Sequence, residues 1–251
     1  MSADIVFING LSCGDGTQDL FIEDLKLMLG ESYRIHRPDL SKLDRSSTQA
    51  AIEGIQAQFQ HLKDPVVIGF SLGGLWASLL AREGFTSRVI AISPAVPSNW
   101  IQIDPLRLKL FAASLFFGRP FKFTYEIARD HLMQNVPDEI IRSTSEHFMS
   151  EPASLIRDYG FMRAYTKLSS EQCSHLRTKV SGLVITGSDD RMTKARHQLE
   201  FSVLVGYRHI LLPCGHTPQL GPHKGLILRE IANFVSKENV IYPNFAAKKA
   251  G

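Results

Sequence analysis

The 251-residue chain is 44% apolar and 21% charged, an ordinary globular composition that excludes disorder, collagen and coiled coil. Its 28 basic against 25 acidic residues leave a net charge of +3, too small and too scattered for a nucleic-acid surface. Three cysteines, Cys13, Cys173 and Cys214, form no Cys-x-x-Cys pair, so neither a disulfide framework nor a zinc ribbon is suggested and a reducing, cytoplasmic compartment fits.

The opening MSADIVFING has no basic leader, and its apolar run of four residues is too short for a signal-peptide core or a membrane span. No stable membrane insertion is expected, and the fold should begin near residue 4. Ile5 to Ile8 reads as a strand, Asp19 to Leu29 as a helix closed by Gly30, and Tyr33 to Arg37 as a strand ending before Pro38. Ile52, Ile55, Phe59 and Leu62 recur at helical spacing. Val66 to Phe70 is a strand, a helix runs from Leu72 to about Glu83, and Val89 to Ile92 is a strand ending at Pro94. The alternation resumes with Val180 to Thr186, a helix over about Lys194 to Leu204, a strand at Arg208 to Leu212 and a closing helix from about Pro222 to Lys237.

Strands this apolar on both sides need helices over both faces, so the reading is a doubly wound, mostly parallel α/β sheet of about six strands. Between Ala95 and Cys173 the pattern breaks into a Phe-rich stretch with helical periodicity and no convincing strand. That stretch, 95–173, is expected to be a helical cap inserted into a core made of 1–94 and 174–251. The tail AAKKAG reads as disordered.

Within VVIGFSLGGLWASLL lies Gly69-Phe70-Ser71-Leu72-Gly73, a G-x-S-x-G pattern that follows an apolar strand and opens a helix. Glycine at 69 and 73 lets Ser71 sit on a sharp turn where side chains would strike the neighbouring strand and helix. A serine hydroxyl needs a base, and the base needs an orienting group. Two later strands run into suitable loops, Gly187-Ser188-Asp189-Asp190 and Cys214-Gly215-His216, at the sheet edge where open α/β folds place their sites. His216 is the only one of nine histidines in such a loop. Asp189 and Asp190 are adjacent and only one can face the imidazole; Asp190 is preferred. The N–H groups of Leu72 and Leu11 are the expected oxyanion donors, with Gly10 allowing the turn. Gly10, Cys13 and Phe70 are further expected to line the substrate, although Cys13 also suits plain packing. No histidine pair has i, i+4 spacing with a carboxylate, so neither metal nor other cofactor is expected.

FINGL, RPDL, GFSLGG, GSDDR and CGHTPQL together resemble the α/β-hydrolase superfamily over almost the whole chain outside the insertion. The resemblance implies a serine hydrolase, and its usual acid, three residues after the strand-end glycine, maps to Asp190. Departures are Asn9 before Gly10 where the family commonly has His, only one strand before the oxyanion turn so that the first two family strands are missing, and Lys194 near the acid loop where many members have Pro. GFSLGGLWAS is similar to small bacterial carboxylesterases that cleave a methyl ester from an acyl chain held on a carrier protein. It also resembles meta-cleavage-product hydrolases and plant-type methyl esterases.

In LRLKLFAASLFFGRPFKF, Phe and Leu alternate with Arg107, Lys109, Arg119 and Lys122. This reads as a packed cap with solvated charges, as an acyl pocket rimmed by cations that meet an acidic carrier or a carboxylate, or as a membrane-surface helix. Pro152, Ile156, Tyr159, Phe161 and Tyr165 suggest further apolar surface facing the site. Substrates are expected to be small-molecule or acyl-chain esters, free or carrier-bound. Two other functions compete with ester hydrolysis: C–C hydrolase or lyase chemistry on the same residues, and a non-catalytic ligand-binding or accessory role. Product analysis and reactivity toward activated esters separate them.

Overall fold

The computed structural model describes residues 3–97, 105–160 and 166–236. Six strands, β1 (Ala3–Ile8), β2 (Tyr33–His36), β3 (Val66–Phe70), β4 (Arg88–Ile92), β5 (Ser181–Gly187) and β6 (Arg208–Leu212), form one sheet in the order β2-β1-β3-β4-β5-β6. Every pairing is parallel. Boundaries fall within a residue or two of the periodicity.

Alternation along each strand divides the core into two layers. Ile5, Phe7, Ile68, Ile90 and Ile185 point to the layer covered by α1 (Asp19–Leu29) and α10 (Lys224–Val235). Val6, Ile8, Val67, Val89 and Val184 point to the layer covered by α2 (Thr48–Phe59) and α3 (Leu72–Arg82). These strand residues are completely buried. Each such aliphatic or aromatic side chain contributes about 1.5–3 kcal/mol by leaving water. This two-sided burial is why the strands read as unbroken apolar runs.

The chain leaves β4 and builds α4 (Pro105–Phe117), α5 (Tyr125–Ile127) with a π-helical turn at Ala128–Leu132, α6 (Asp138–Glu146) and α7 (Ala153–Gly160) before α8 (Ser170–Lys179). α4 packs on α7, whereas α8 packs on α3 and α9 (Ala195–Val205) in the layer flanking the sheet. The boundary expected at 173 therefore falls inside a helix of the sheet layer. No named strand interrupts the described part of this insertion, but two isolated antiparallel bridges, Cys13 with Phe148 and Phe121 with Glu151, stitch it to the loop after β1 and to itself. Phe161, Tyr165 and the AAKKAG tail lie outside the described residues. Among the described residues no helix is long and apolar enough to cross a membrane.

Candidate active site

The strand order reverses between β1 and β3, and the crevice beyond their carboxyl ends is where an open α/β sheet has room for a ligand. Ser71 leaves β3 there with φ 53° and ψ −118°, a backbone conformation that costs a non-glycine residue about 1–3 kcal/mol. Its N–H donates to Ile92 O at 2.9 Å, and its carbonyl accepts from the Gly74 and Ala95 N–H groups at 2.9 Å each. The flanking glycines make the turn possible. A Cβ at Gly69 would lie 2.0 Å from Gly73 O, and one at Gly73 would lie 2.4 Å from Ile8 O on β1.

Ser71 Oγ and His216 Nε2 are 2.9 Å apart, and His216 Nδ1 is 2.8 Å from Asp190 Oδ2. A carboxylate accepts only, so Nδ1 carries the ring proton and donates it to Asp190, leaving Nε2 free to accept from the serine hydroxyl. His216 and Asp190 are buried, whereas the neighbouring Asp189 is exposed and spends its N–H on Cys214 O at 2.9 Å. The Asp190 loop is an Asx-type turn: Oδ1 accepts from the Met192 and Thr193 N–H groups at 2.8 Å each. Oδ2 also accepts from Gln198 Nε2 at 2.9 Å. Gln198 is held in turn, its Nε2 donating to Thr193 O at 2.7 Å and its Oε1 accepting from Thr186 Oγ1 at 3.0 Å. Since the Thr186 proton goes to Gln198, His209 Nε2 donates to Thr186 Oγ1 at 3.0 Å. Burial moves the His209 pKa below its ordinary 6.5. A line of hydrogen bonds thus runs from His209 on β6 to the acid.

Leu11 and Leu72 both border the cavity at Ser71. Neither N–H donates to a protein acceptor among the described residues. The loop that carries Leu11 is tied down from both sides. Asn9 Nδ2 donates to Gly14 O at 3.0 Å, while Asn9 Oδ1 is buried without a partner. Ser12 N–H donates to Glu151 Oε1 at 2.8 Å, and Glu151 Oε2 receives Arg45 Nη1 at 2.8 Å. Burial pushes the Glu151 carboxyl above its usual range, with Arg45 and the Ser12 N–H pulling the other way.

The cavity measures about 40 Å³ and is bordered by Leu11, Ser71, Leu72, Arg107, Tyr159 and His216, with Phe111, Phe123, Leu132 and Met192 among the remaining lining. Three residues expected to touch substrate lie elsewhere. Gly10 presses on the nucleophile from behind, where a Cβ would stand 3.0 Å from Ser71 Cβ. Phe70 is buried and sets its ring against the His216 imidazole, centroids 5.3 Å apart, so it supports the base. Cys13 is buried in the bridge to Phe148, and burial pushes its thiol up to about 12. Cys214 is likewise a packing residue, raised to about 11 by burial and by the Asp189 and Asp190 charges. Of the four expected rim cations, Lys109, Arg119 and Lys122 are exposed, and Arg107 turns into the cavity wall. Tyr159 borders the cavity, and Ile156 is buried in the core layer instead.

The sequence reading missed Gln198, Arg45 and Glu151. Only the spacing of Asp190 and Thr193, which suits an Asx turn, offered a signal in the chain. No cluster of His, Cys, Asp or Glu able to hold a metal occurs among the described residues.

Residues 5–227 match the model of the alpha/beta hydrolase family. No curated protein matches the sequence. Solved structures that resemble the chain include a monoacylglycerol lipase of Paleococcus ferrophilus, at 16% identity and TM-score 0.69 over 92% of this chain and 93% of that one. An enol-lactonase from Burkholderia xenovorans is similar at 14% identity and TM-score 0.68, over 94% and 92%. An extracellular alpha/beta-hydrolase from a Paenibacillus species is similar at 13% identity and TM-score 0.71, over 92% and 98%. Likeness at these identities is a likeness of fold.

Proposed function

The chain belongs to the α/β-hydrolase family, and within it we propose a serine hydrolase that cleaves a carboxylic ester or thioester of an apolar acyl substrate through an acyl-enzyme on Ser71. The observation that carries this reading is the unbroken line Ser71 Oγ to His216 Nε2 at 2.9 Å and His216 Nδ1 to Asp190 at 2.8 Å, opening on a cavity. In this reading His216 takes the Ser71 proton as Oγ attacks the carbonyl carbon. The carbonyl oxygen becomes an oxyanion facing the Leu11 and Leu72 N–H groups; losing one such donor typically costs about 100- to 1000-fold in rate. Asp190 stabilises the imidazolium, which passes its proton to the departing alcohol or thiol. Water then attacks the acyl-enzyme, gives its proton to His216, and Ser71 is restored as the acid leaves.

The apolar lining from Phe111, Phe123 and Leu132 suits an acyl group. The exposed Lys109, Arg119 and Lys122 suit an acidic carrier that delivers it. Three free, buried cysteines suit a reducing cytoplasm.

A fluorophosphonate probe tests the nucleophile. The wild type should gain one probe mass on the peptide containing Ser71, and Ser71→Ala should gain none. Labelling that persists in Ser71→Ala removes the assignment.

A further inference from the structure

Arg107 is the cation that departs from the surface pattern. It reaches from α4 into the wall of the cavity that Ser71 and His216 share. Its Nε–H donates to Met192 O at 2.7 Å and an Nη2–H donates to Thr193 Oγ1 at 2.9 Å. Those bonds fix the plane of the guanidinium and engage two of its five N–H groups. The Tyr159 hydroxyl, whose own proton goes to Val96 O at 3.4 Å, is a further side-chain partner of the guanidinium, and His197 lies within its electrostatic reach. Arg34 pairs with Asp4, Arg45 with Glu151, Arg142 with Asp138 and Arg208 with Glu230, whereas Arg157 and Arg177, like Arg107, donate to main-chain oxygens. Arg107 pairs with no carboxylate among the described residues, although its surroundings are largely apolar and an unpaired charge in such a place is costly.

We propose that Arg107 is an anion subsite of this cavity, so that the ester hydrolysed there carries a carboxylate a few bonds from the scissile carbonyl. The inference rests on the serine-hydrolase reading and narrows its substrate class. A planar fork with free N–H groups matches a carboxylate in two-point contact. The carboxylate can stand on the acyl side or on the alcohol side of the ester, and the same guanidinium serves both.

The competing role for Arg107 is to brace the 190–193 turn, and paired substrates separate the two. Monoethyl glutarate against ethyl 5-methylhexanoate places the charge in the acyl part. 3-Acetoxypropionate against 3-methylbutyl acetate places it in the alcohol. The wild type should prefer the charged member of at least one pair by more than about tenfold in kcat/KM, the worth of a charge-assisted hydrogen bond. Arg107→Gln should collapse that ratio by about 10- to 100-fold, chiefly through KM. Arg107→Lys, which keeps the charge and loses the fork, should fall between. Lys63→Gln, which removes an exposed charge just before β3, at the opposite edge of the sheet from the cavity, should leave the ratio unchanged. A wild-type ratio at or below one for both pairs overturns the proposal, and so does an equal loss of charged and neutral turnover in Arg107→Gln. A wild type that no fluorophosphonate labels would instead overturn the serine-hydrolase reading beneath it.

Discussion

Replacing Asp190 by Asn keeps the shape of the side chain and changes only what it can offer. Four donors converge on the carboxylate: Met192 N and Thr193 N on Oδ1, Gln198 Nε2 and His216 Nδ1 on Oδ2. An amide has one oxygen and one NH2. With its oxygen toward the backbone pair, the new NH2 faces Gln198 and His216. The imidazole can then meet it only by accepting at Nδ1, which moves the ring proton to Nε2, where Ser71 needs a base. With the amide reversed, the NH2 faces two backbone N–H groups. Gln198 cannot relieve the conflict by turning over, because Thr193 O and Thr186 Oγ1 hold both ends of its amide. An acid-to-amide change that imposes the wrong histidine tautomer costs about 10⁴-fold in kcat, or about 5.4 kcal/mol at 1.36 kcal/mol per tenfold. Each buried donor left unpaired removes a further ~1–3 kcal/mol of stability. Steady-state ester hydrolysis at neutral pH, with urea unfolding alongside, reads both numbers. The expected result is a folded Asp190→Asn protein with kcat reduced about 10⁴-fold and KM little changed. A loss below tenfold, or a larger loss in Asp189→Asn, would refute the assignment of the acid.

Two further outcomes follow from the polar groups around the site. Glu151→Ala leaves the half-buried Arg45 without its carboxylate and the Ser12 N–H without an acceptor; urea unfolding should show a loss of about 1–3 kcal/mol, with a drop in kcat because Ser12 adjoins the Leu11 donor. A smaller loss with unchanged kcat would mean that the oxyanion loop holds itself. His209 has its pKa depressed by burial, so the native state binds fewer protons than the unfolded one near and below 6.5. The associated stability is present above pH 6.5 and is lost as pH falls through the lower native value. Thermal melts of wild type and His209→Gln from pH 8 to 5 should therefore diverge on acidification, the wild type losing more; parallel melting curves would contradict this.

Much of the sheet was legible because a buried parallel strand has nowhere to hide a polar residue, so Ile5 to Ile8 and Val66 to Phe70 announce themselves. The elbow was legible for a steric reason: backbone atoms 2.0 and 2.4 Å from the missing Cβ positions leave only glycine at 69 and 73. The placing of Asp190 and His216 beside Ser71 was legible because strand ends carry them. The roles of Phe70, Cys13 and Arg107 could not be read in the same way. Phe70 supports His216 from a distance of 146 positions along the chain, and Cys13 pairs with Phe148 across the insertion. Nothing local distinguishes Arg107 from Lys109; only the packing of α4 on α7 turns one into the cavity and leaves the other outside. The Glu151 and Arg45 pair is equally invisible, since its logic lies in contacts more than a hundred residues apart.

Ser71 and His216 touch although 145 residues separate them, and β4 and β5 stand between their strands in the sheet. The intervening strands must find their register before that contact exists, and such non-local parallel pairing is the slow part of folding. A nascent chain that has emerged only as far as α9 already carries the Ser71 elbow and the Asp190 turn, but not His216. If the serine-hydrolase reading holds, ester turnover followed during refolding would accordingly report the docking of β6 and not the collapse of the core.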